Sequence, residues 1–96
     1  MEWEWDDAKD AANTEKHGIS FEEALQVFTD SDGMEKEDLA HSSPNERRLW
    51  RTGKMNSGRI VTVVYTLSGE RIRLISAQER RRERRQYEKA KKTKGN

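Results

Sequence analysis

Apolar positions change their spacing several times along this chain, and each change marks a new element. Residues 2–5 alternate as Glu2, Trp3, Glu4 and Trp5, which sets both indoles on one face of a short strand. Asp6 supplies an N-cap and Gly18 stands where a left-handed C-terminal cap belongs, predicting a helix over residues 7–17. Its inward side would be the small residues Ala8, Ala11 and Ala12. Ser20-Phe21-Glu22-Glu23 fits a capping box, in which the Ser20 hydroxyl accepts from the Glu23 amide and the Glu23 carboxylate accepts from the Ser20 amide. Ile19 and Ala24 flank that cap as a small hydrophobic staple. Phe21, Ala24, Leu25 and Phe28 recur at i, i+3, i+4 and i+7, so a second helix buries that stripe and stops near Thr29-Asp30-Ser31-Asp32-Gly33.

Past Gly33 the helical period disappears. Residues 34–40 read as a weak strand or an irregular segment, and a polar connection, His41-Ser42-Ser43-Pro44-Asn45, follows with the only proline. Residues 46–54 read as a strand and Asn56-Ser57-Gly58 as a hairpin turn. Residues 60–67, Ile-Val-Thr-Val-Val-Tyr-Thr-Leu, are apolar on both faces and read as the central strand; Ser68-Gly69 turns the chain into a strand over 71–77. Such short connections imply an antiparallel meander. Residues 79–92 favour helix by propensity, yet beyond Tyr87 and Ala90 they carry almost no apolar stripe. The expected fold class is α+β: two N-terminal helices, an antiparallel sheet of about four strands, and a C-terminal helix. Residues 1–96 form one domain, of which 78–96 are a basic C-terminal helix and tail.

Composition sharpens this picture. Apolar residues make up 31% and charged residues 39%, so the core is thin and a partner or self-association is expected to add stability. The formal net charge of +1 conceals a segregation. From Gln78 onward nine Lys/Arg face three Glu, a net +6, which leaves −5 on the remainder. That basic end calls for an anionic partner, either nucleic acid or an acidic protein surface. The absence of cysteine excludes disulfides, thiolate metal sites and a cysteine nucleophile. No apolar run approaches membrane-spanning length and Met-Glu-Trp-Glu-Trp is unlike a secretion signal, so a cytoplasmic protein without membrane contact is expected.

Candidate chemistry lies in two places. Lys9, Asn13, Lys16 and His17 are spaced by three and four residues and share a helix face suited to phosphate. Arg71 and Arg73 alternate along a strand and project the same way, while Glu46-Arg47-Arg48 lies on a strand expected nearby. If the helix face meets that side of the sheet, His17, Lys9, Lys16, Glu46, Arg47 or Arg48, and Arg73 gather on one surface. Metal-free RNA cleavage needs such a set: a base for the 2′-hydroxyl, an acid for the 5′-oxygen, and fixed cations for the charge growing on the phosphorane. His17 suits either proton-transfer role, Glu46 is an alternative base, and guanidinium matches phosphate oxygens. The catalytic candidates are therefore His17, Lys9, Glu46, Arg48 and Arg73, and the RNA-binding candidates Lys16, Arg47, Arg71, Arg81 and Arg84.

Plainer roles fit the same residues. His17 could only cap its helix, Lys9 and Lys16 could be a solvated face, and Arg71 and Arg73 could guard a sheet edge against aggregation. Glu46, Arg47 and Arg48 could form cross-strand ion pairs of small worth. His17 and His41 are the only histidines and no helix carries a two-histidine ligand spacing, so neither metal nor cofactor is expected. The run Arg80-Arg81-Arg82-Glu83-Arg84-Arg85 has no apolar stripe to pack, which favours phosphate contact or an acidic partner for it; with Tyr87 as its one aromatic, base stacking is not its strength.

Several of these residues occur together in a known pattern. Glu4-Trp5-Asp6, Lys9, Asn13 and Lys16-His17-Gly18-Ile19-Ser20-Phe21-Glu22-Glu23-Ala24 resemble the N-terminal signature of the BrnT family, the ribonuclease halves of BrnT/BrnA toxin–antitoxin pairs. Val63-Val64-Tyr65-Thr66, Arg71-Ile72-Arg73-Leu74-Ile75-Ser76-Ala77 and a Glu/Arg-rich helix ending in Tyr87-Glu88 extend the resemblance over roughly residues 3–88. It implies a RelE-like ribonuclease fold and a ribosome-independent RNA endonuclease that inhibits translation. It also implies neutralisation by a BrnA-like antitoxin, whose DNA-binding part lets the complex repress its own promoter. Expected partners are thus that antitoxin and RNA, with DNA reached only through the antitoxin, in a dimer or a heterotetramer. Two positions depart from the pattern: Gln78 stands where the family commonly has Arg, and Trp50-Arg51-Thr52-Gly53 is one residue shorter than the usual Trp-x-x-Ile-Gly. A non-catalytic nucleic-acid-binding module, or an inactive toxin relative kept as an antitoxin's partner, is the alternative function.

Overall fold

In the computed structural model, which describes residues 2–94, strand β1 (Glu2–Glu4) leads into helix α1 (Asp7–His17) and the single turn α2 (Phe21–Ala24). Strands β2 (Met34–Glu37), β3 (Arg47–Lys54), β4 (Ile60–Ser68) and β5 (Arg71–Gln78) follow, and helix α3 (Arg81–Lys94) ends the fold. Met1 and the last two positions of the expected 1–96 domain and its 78–96 tail lie outside the described residues.

The sheet has five strands in the order β1-β5-β4-β3-β2. It is mixed rather than the expected antiparallel sheet of about four strands, because β1 runs parallel to β5, with Trp3 opposite Ile72. The remaining neighbours form the antiparallel meander that their short connections require. β4 is central, and every residue from Ile60 to Thr66 is buried, in keeping with its apolar run.

One face of the sheet carries the core. Cross-strand pairing aligns Leu49, Val63, Tyr65, Ile72, Leu74 and Ala77 beneath Ile19, Phe21, Ala24 and Val27. A β-bulge in β5, opposite the Val64–Tyr65 step, adds Ile75 as an unpaired residue. Leu74 and Ala77 therefore both face the core, although they are three positions apart, and Arg73, Ser76 and Gln78 all face the other way.

The second helical segment is tighter than its sequence period suggests. After one α turn, built on the expected Ser20–Glu23 capping box, the chain continues as a 3-10 helix, Leu25–Thr29. A three-residue repeat then buries Phe21, Ala24 and Val27, and leaves Leu25 and Phe28 half-buried at the margin. β3 presses against this turn at Gly53, where a Cβ would stand 2.8 Å from the Val27 carbonyl oxygen. Trp3 and Trp5 both turn toward the same layer, meeting Phe28 and Phe21 edge-on at 4.7 and 6.1 Å.

α3 covers the opposite face of β3 and β4. Its side chains supply what a hydrophobic stripe does elsewhere: Tyr87 is 1% exposed, its hydroxyl donates to Asp30 at 2.5 Å, and Glu83 is buried. The Arg80 guanidinium lies over the Trp50 ring at 4.2 Å. The expectation that this helix has no packing reason is therefore corrected. Its anchors are polar groups with apolar bodies, which a hydrophobicity pattern does not register.

Candidate nucleic-acid interface and active site

α1 begins where the Asp6 carboxylate accepts from the amides of Ala8 and Lys9 at 2.8 and 3.2 Å. It ends at Gly18, whose φ of 68° only glycine adopts without cost. The helix lies along the open edge of β5, beyond the short β1, and contacts that strand rather than the top of the sheet. Only a narrow stripe turns inward: half-buried Asp10, buried Asn13 and half-buried His17. Ala8, Ala11 and Ala12, expected inside, are exposed.

Asn13, though it borders the same surface as Lys9, Lys16 and His17, is 7% exposed and commits its amide to the main chain. Its Nδ2 donates to the Ala77 carbonyl at 2.8 Å and to the Ile19 carbonyl at 2.9 Å, and its Oδ1 accepts from the Ala77 amide at 3.1 Å. It completes the edge of β5 where a further strand would otherwise pair. Asp10 adds a second tie, its Oδ1 accepting from the Phe21 amide at 2.8 Å. Arg59 closes the far end of the helix: its guanidinium donates to the carbonyls of His17 and Gly18 at 3.1 Å and to Glu79 at 2.7 Å. A lone arginine after a turn carries no sequence signal for that role.

Docked in this way, α1 and β5 enclose a cleft lined by Lys9, Lys16 and His17 on the helix and by Ser76 and Gln78 on the strand. Ser76 and Gln78 share their face of the sheet with Arg73, and Thr66 of β4 pairs with Arg73 on one side and Arg48 on the other. Arg48, Thr66, Arg73 and Glu4 thus form a row across that face, with the two arginines roughly 10 Å apart at ordinary strand spacing. Lys9, Lys16 and His17 thus share a cleft with Ser76 and Gln78, and those two strand residues share their sheet face with Arg48 and Arg73.

Other candidates lie elsewhere. Arg47 points to the opposite face, where its Nη2 and Nε donate to Glu37 at 2.9 and 3.1 Å. Those hydrogen bonds hold the Glu37 carboxyl below its ordinary value and raise the Arg47 guanidinium. Glu46 is exposed in the loop before β3, hydrogen-bonded through its main chain to Ser43. It lies at the Arg71 end of the sheet, whereas Arg59 fixes His17 at the Gln78 end; the length of β5 puts roughly 20 Å between them. The expected gathering of Glu46 and Arg47 around His17 is therefore not formed, because strand alternation sends Arg47 through the sheet and register carries Glu46 to its far end.

Arg71 and Arg73 pair with Glu2 and Glu4 at 3.6 and 3.7 Å. Such exposed pairs are weak enough to yield to a phosphate. Arg81 and Arg84 are exposed on α3, and Arg84 pairs with Glu88. Among the described residues no group of three or more His, Cys, Asp or Glu could hold a metal ion, and no helix is long and apolar enough to cross a membrane.

Comparison with known proteins places this arrangement. No curated protein matches the sequence. Among solved structures, the chain is similar to the ribonuclease toxin BrnT of Brucella abortus, with a TM-score of 0.59 and 23% identity over 83% of this chain and 96% of that one. At that identity the likeness shows a shared fold. The sequence model of the ribonuclease toxin BrnT of type II toxin–antitoxin systems matches residues 5–84, which hold α1, the whole β2–β5 meander and the start of α3. The chain therefore belongs to the BrnT family of type II toxin–antitoxin ribonuclease toxins.

Proposed function

We propose that this chain is an active, cytoplasmic endoribonuclease that cuts RNA without a metal ion, inhibits translation, and is held in check by a BrnA-like antitoxin. The observation that carries this reading is the α1/β5 cleft, which unites Lys9, Lys16 and His17 and opens on the face that bears Arg48 and Arg73. A phosphate in the cleft meets the Lys9 ammonium, and the Arg73 guanidinium, released from Glu4 on the adjoining face, joins it to stabilise the charge that grows in the transition state. With Glu46 at the far end of the sheet, proton transfer falls to His17, whose imidazole carries both a donor and an acceptor nitrogen and so can act as acid or base. Arg48 and Lys16 extend the cationic track, and Arg81 and Arg84 bind the RNA backbone without touching the scissile bond.

A second reading has one observation in its favour. Gln78 lines the cleft where the family pattern commonly has an arginine, so a catalytically silent chain that still engages an antitoxin fits as well. Incubation of the purified chain with single-stranded RNA in EDTA separates the two. Cleavage in EDTA is the expected result, and cleavage that appears only on addition of a divalent ion contradicts the metal-free mechanism. RNA binding without cleavage under either condition favours the silent partner.

A further inference from the structure

A second polar site lies under α3, away from the α1/β5 cleft. Trp50 Nε1, Arg80 Nε and Glu83 Oε2 are buried there with no hydrogen-bond partner among the described residues. A buried polar group left without a partner is destabilising, so these atoms call for one. The Glu83 side chain is only 7% exposed, and Lys36 Nζ stands 4.0 Å from its Oε2. The same ammonium lies 4.9 Å from the centre of the Trp50 ring. Lys36, Trp50 and Glu83 border a cavity of about 120 Å³, lined also by Met34, Glu35, Thr52 and Gln86. Space of that size holds several waters or one small planar ligand. The Lys36 side chain is 53% exposed and lines the same cavity.

We propose that this cavity is a nucleotide subsite that takes a guanine base, a proposal that rests on RNA being the substrate. The unpartnered Glu83 Oε2 and its fellow oxygen can accept from two adjacent N–H donors, and guanine presents them side by side at N1 and N2. Adenine and cytosine offer a single exocyclic amino group, and uracil flanks its one N–H with acceptors. The guanine base replaces the Lys36 ammonium against the Trp50 indole, with its Watson–Crick edge toward Glu83, a mode common in single-strand recognition. The alternative occupant, an arginine or lysine of a protein partner, would have to enter beside the start of α3, where residues 80–85 carry five arginines against one glutamate. That charge repels a cation and attracts a polyanion.

The experiment titrates 5′-GMP, 5′-IMP and 5′-AMP into the isotopically labelled protein and follows the Trp50 indole N–H resonance. IMP lacks the 2-amino group and keeps N1–H, so the expected order is GMP, then IMP, then AMP, with about tenfold between the extremes for a lost charge-assisted hydrogen bond. Glu83→Gln, with its folding checked by the rest of the spectrum, is expected to bring GMP down to the AMP level. Should that variant misfold, the nucleotide series on the parental protein still decides. Equal affinity for the three nucleotides overturns the proposal, as does a Trp50 response to arginine amide and to none of the nucleotides. Cleavage assays run in parallel on RNA with inosine in place of guanosine. Cleavage indifferent to that replacement also overturns the subsite, whereas selective GMP binding by a protein that cuts no RNA upholds the subsite and removes the nuclease reading instead.

Discussion

The side-chain amide of Asn13 pairs with the main chain of Ala77 on both sides, donating to its carbonyl at 2.8 Å and accepting from its amide at 3.1 Å. One asparagine thereby fixes the distance between α1 and β5, and with it the cleft that contains Lys9, Lys16 and His17. Replacing Asn13 with Leu leaves the Ala77 amide and carbonyl buried without partners, at about 1–3 kcal/mol each. Urea denaturation is expected to show a loss of about 2–4 kcal/mol, with RNA affinity falling along with it because the cleft opens.

Acid and alkali should both act on the hydrogen bond between Tyr87 and Asp30. Burial pushes the Asp30 carboxyl up, but hydrogen bonds from the Tyr87 hydroxyl and the amides of Lys54 and Asp32 outweigh it, so the folded value lies below the ordinary one. Its stabilisation is present above about pH 4 and is lost as the pH falls through the folded value. The Tyr87 phenol is raised by burial first and by its bond to Asp30 second, so its stabilisation is present below about pH 10 and is lost above it. Melting temperatures measured across pH are expected to fall at both ends. Asp30→Asn should flatten the acid limb, and Tyr87→Phe the alkaline one.

Gly53 is held small by its neighbour rather than by its backbone angles. An added Cβ would lie 2.8 Å from the Val27 carbonyl oxygen and 3.0 Å from the Val27 Cβ, both parts of a rigid 3-10 turn. Gly53→Ala is expected to cost about 1–3 kcal/mol by overpacking, read as a lower denaturation midpoint at unchanged slope.

Restoring the cation at position 78 should strengthen RNA binding. Gln78 lines the cleft beside Lys16 and His17. Gln78→Arg is expected to raise affinity for single-stranded RNA and to steepen its salt dependence by about 0.7 in the logarithmic slope, the mark of one more phosphate contact. Titrations at several salt concentrations check it; an unchanged slope would place position 78 outside the RNA path.

Local signals in the sequence led to the right elements, and long-range ones did not. The Asp6 cap, the Gly18 stop and the Ser20–Glu23 capping box each depend on a few consecutive residues, and all three occur as their chemistry requires. The continuous apolar run of β4 marked the centre of the sheet for the same reason. The parallel pairing of β1 with β5 sets Glu2 opposite Arg71, far away in sequence, and no local pattern specifies it. The fate of Arg47 and Arg48 depended on register: Thr66 pairs with Arg48, which puts Arg48 in line with Arg73 and sends Arg47 to Glu37. Asn13 was legible as a polar residue on the face of Lys9 and Lys16, but its burial came from α1 lying at a strand edge, where a side-chain amide is worth more than an alanine. α3 was hidden because Tyr87, Glu83 and Arg80 dock it through polar tips and apolar stems.

The central claim is that chemistry takes place in the α1/β5 cleft with His17 moving the proton. Its most direct test is the single-turnover rate of cleavage of a labelled single-stranded RNA in EDTA, parental chain against His17→Ala, with folding matched by their melting curves. The expected result is a loss of about a hundredfold or more in rate at nearly unchanged RNA affinity. A normally folded His17→Ala protein that cleaves at the parental rate would contradict the account and leave the lysines and arginines of this face to act without a histidine.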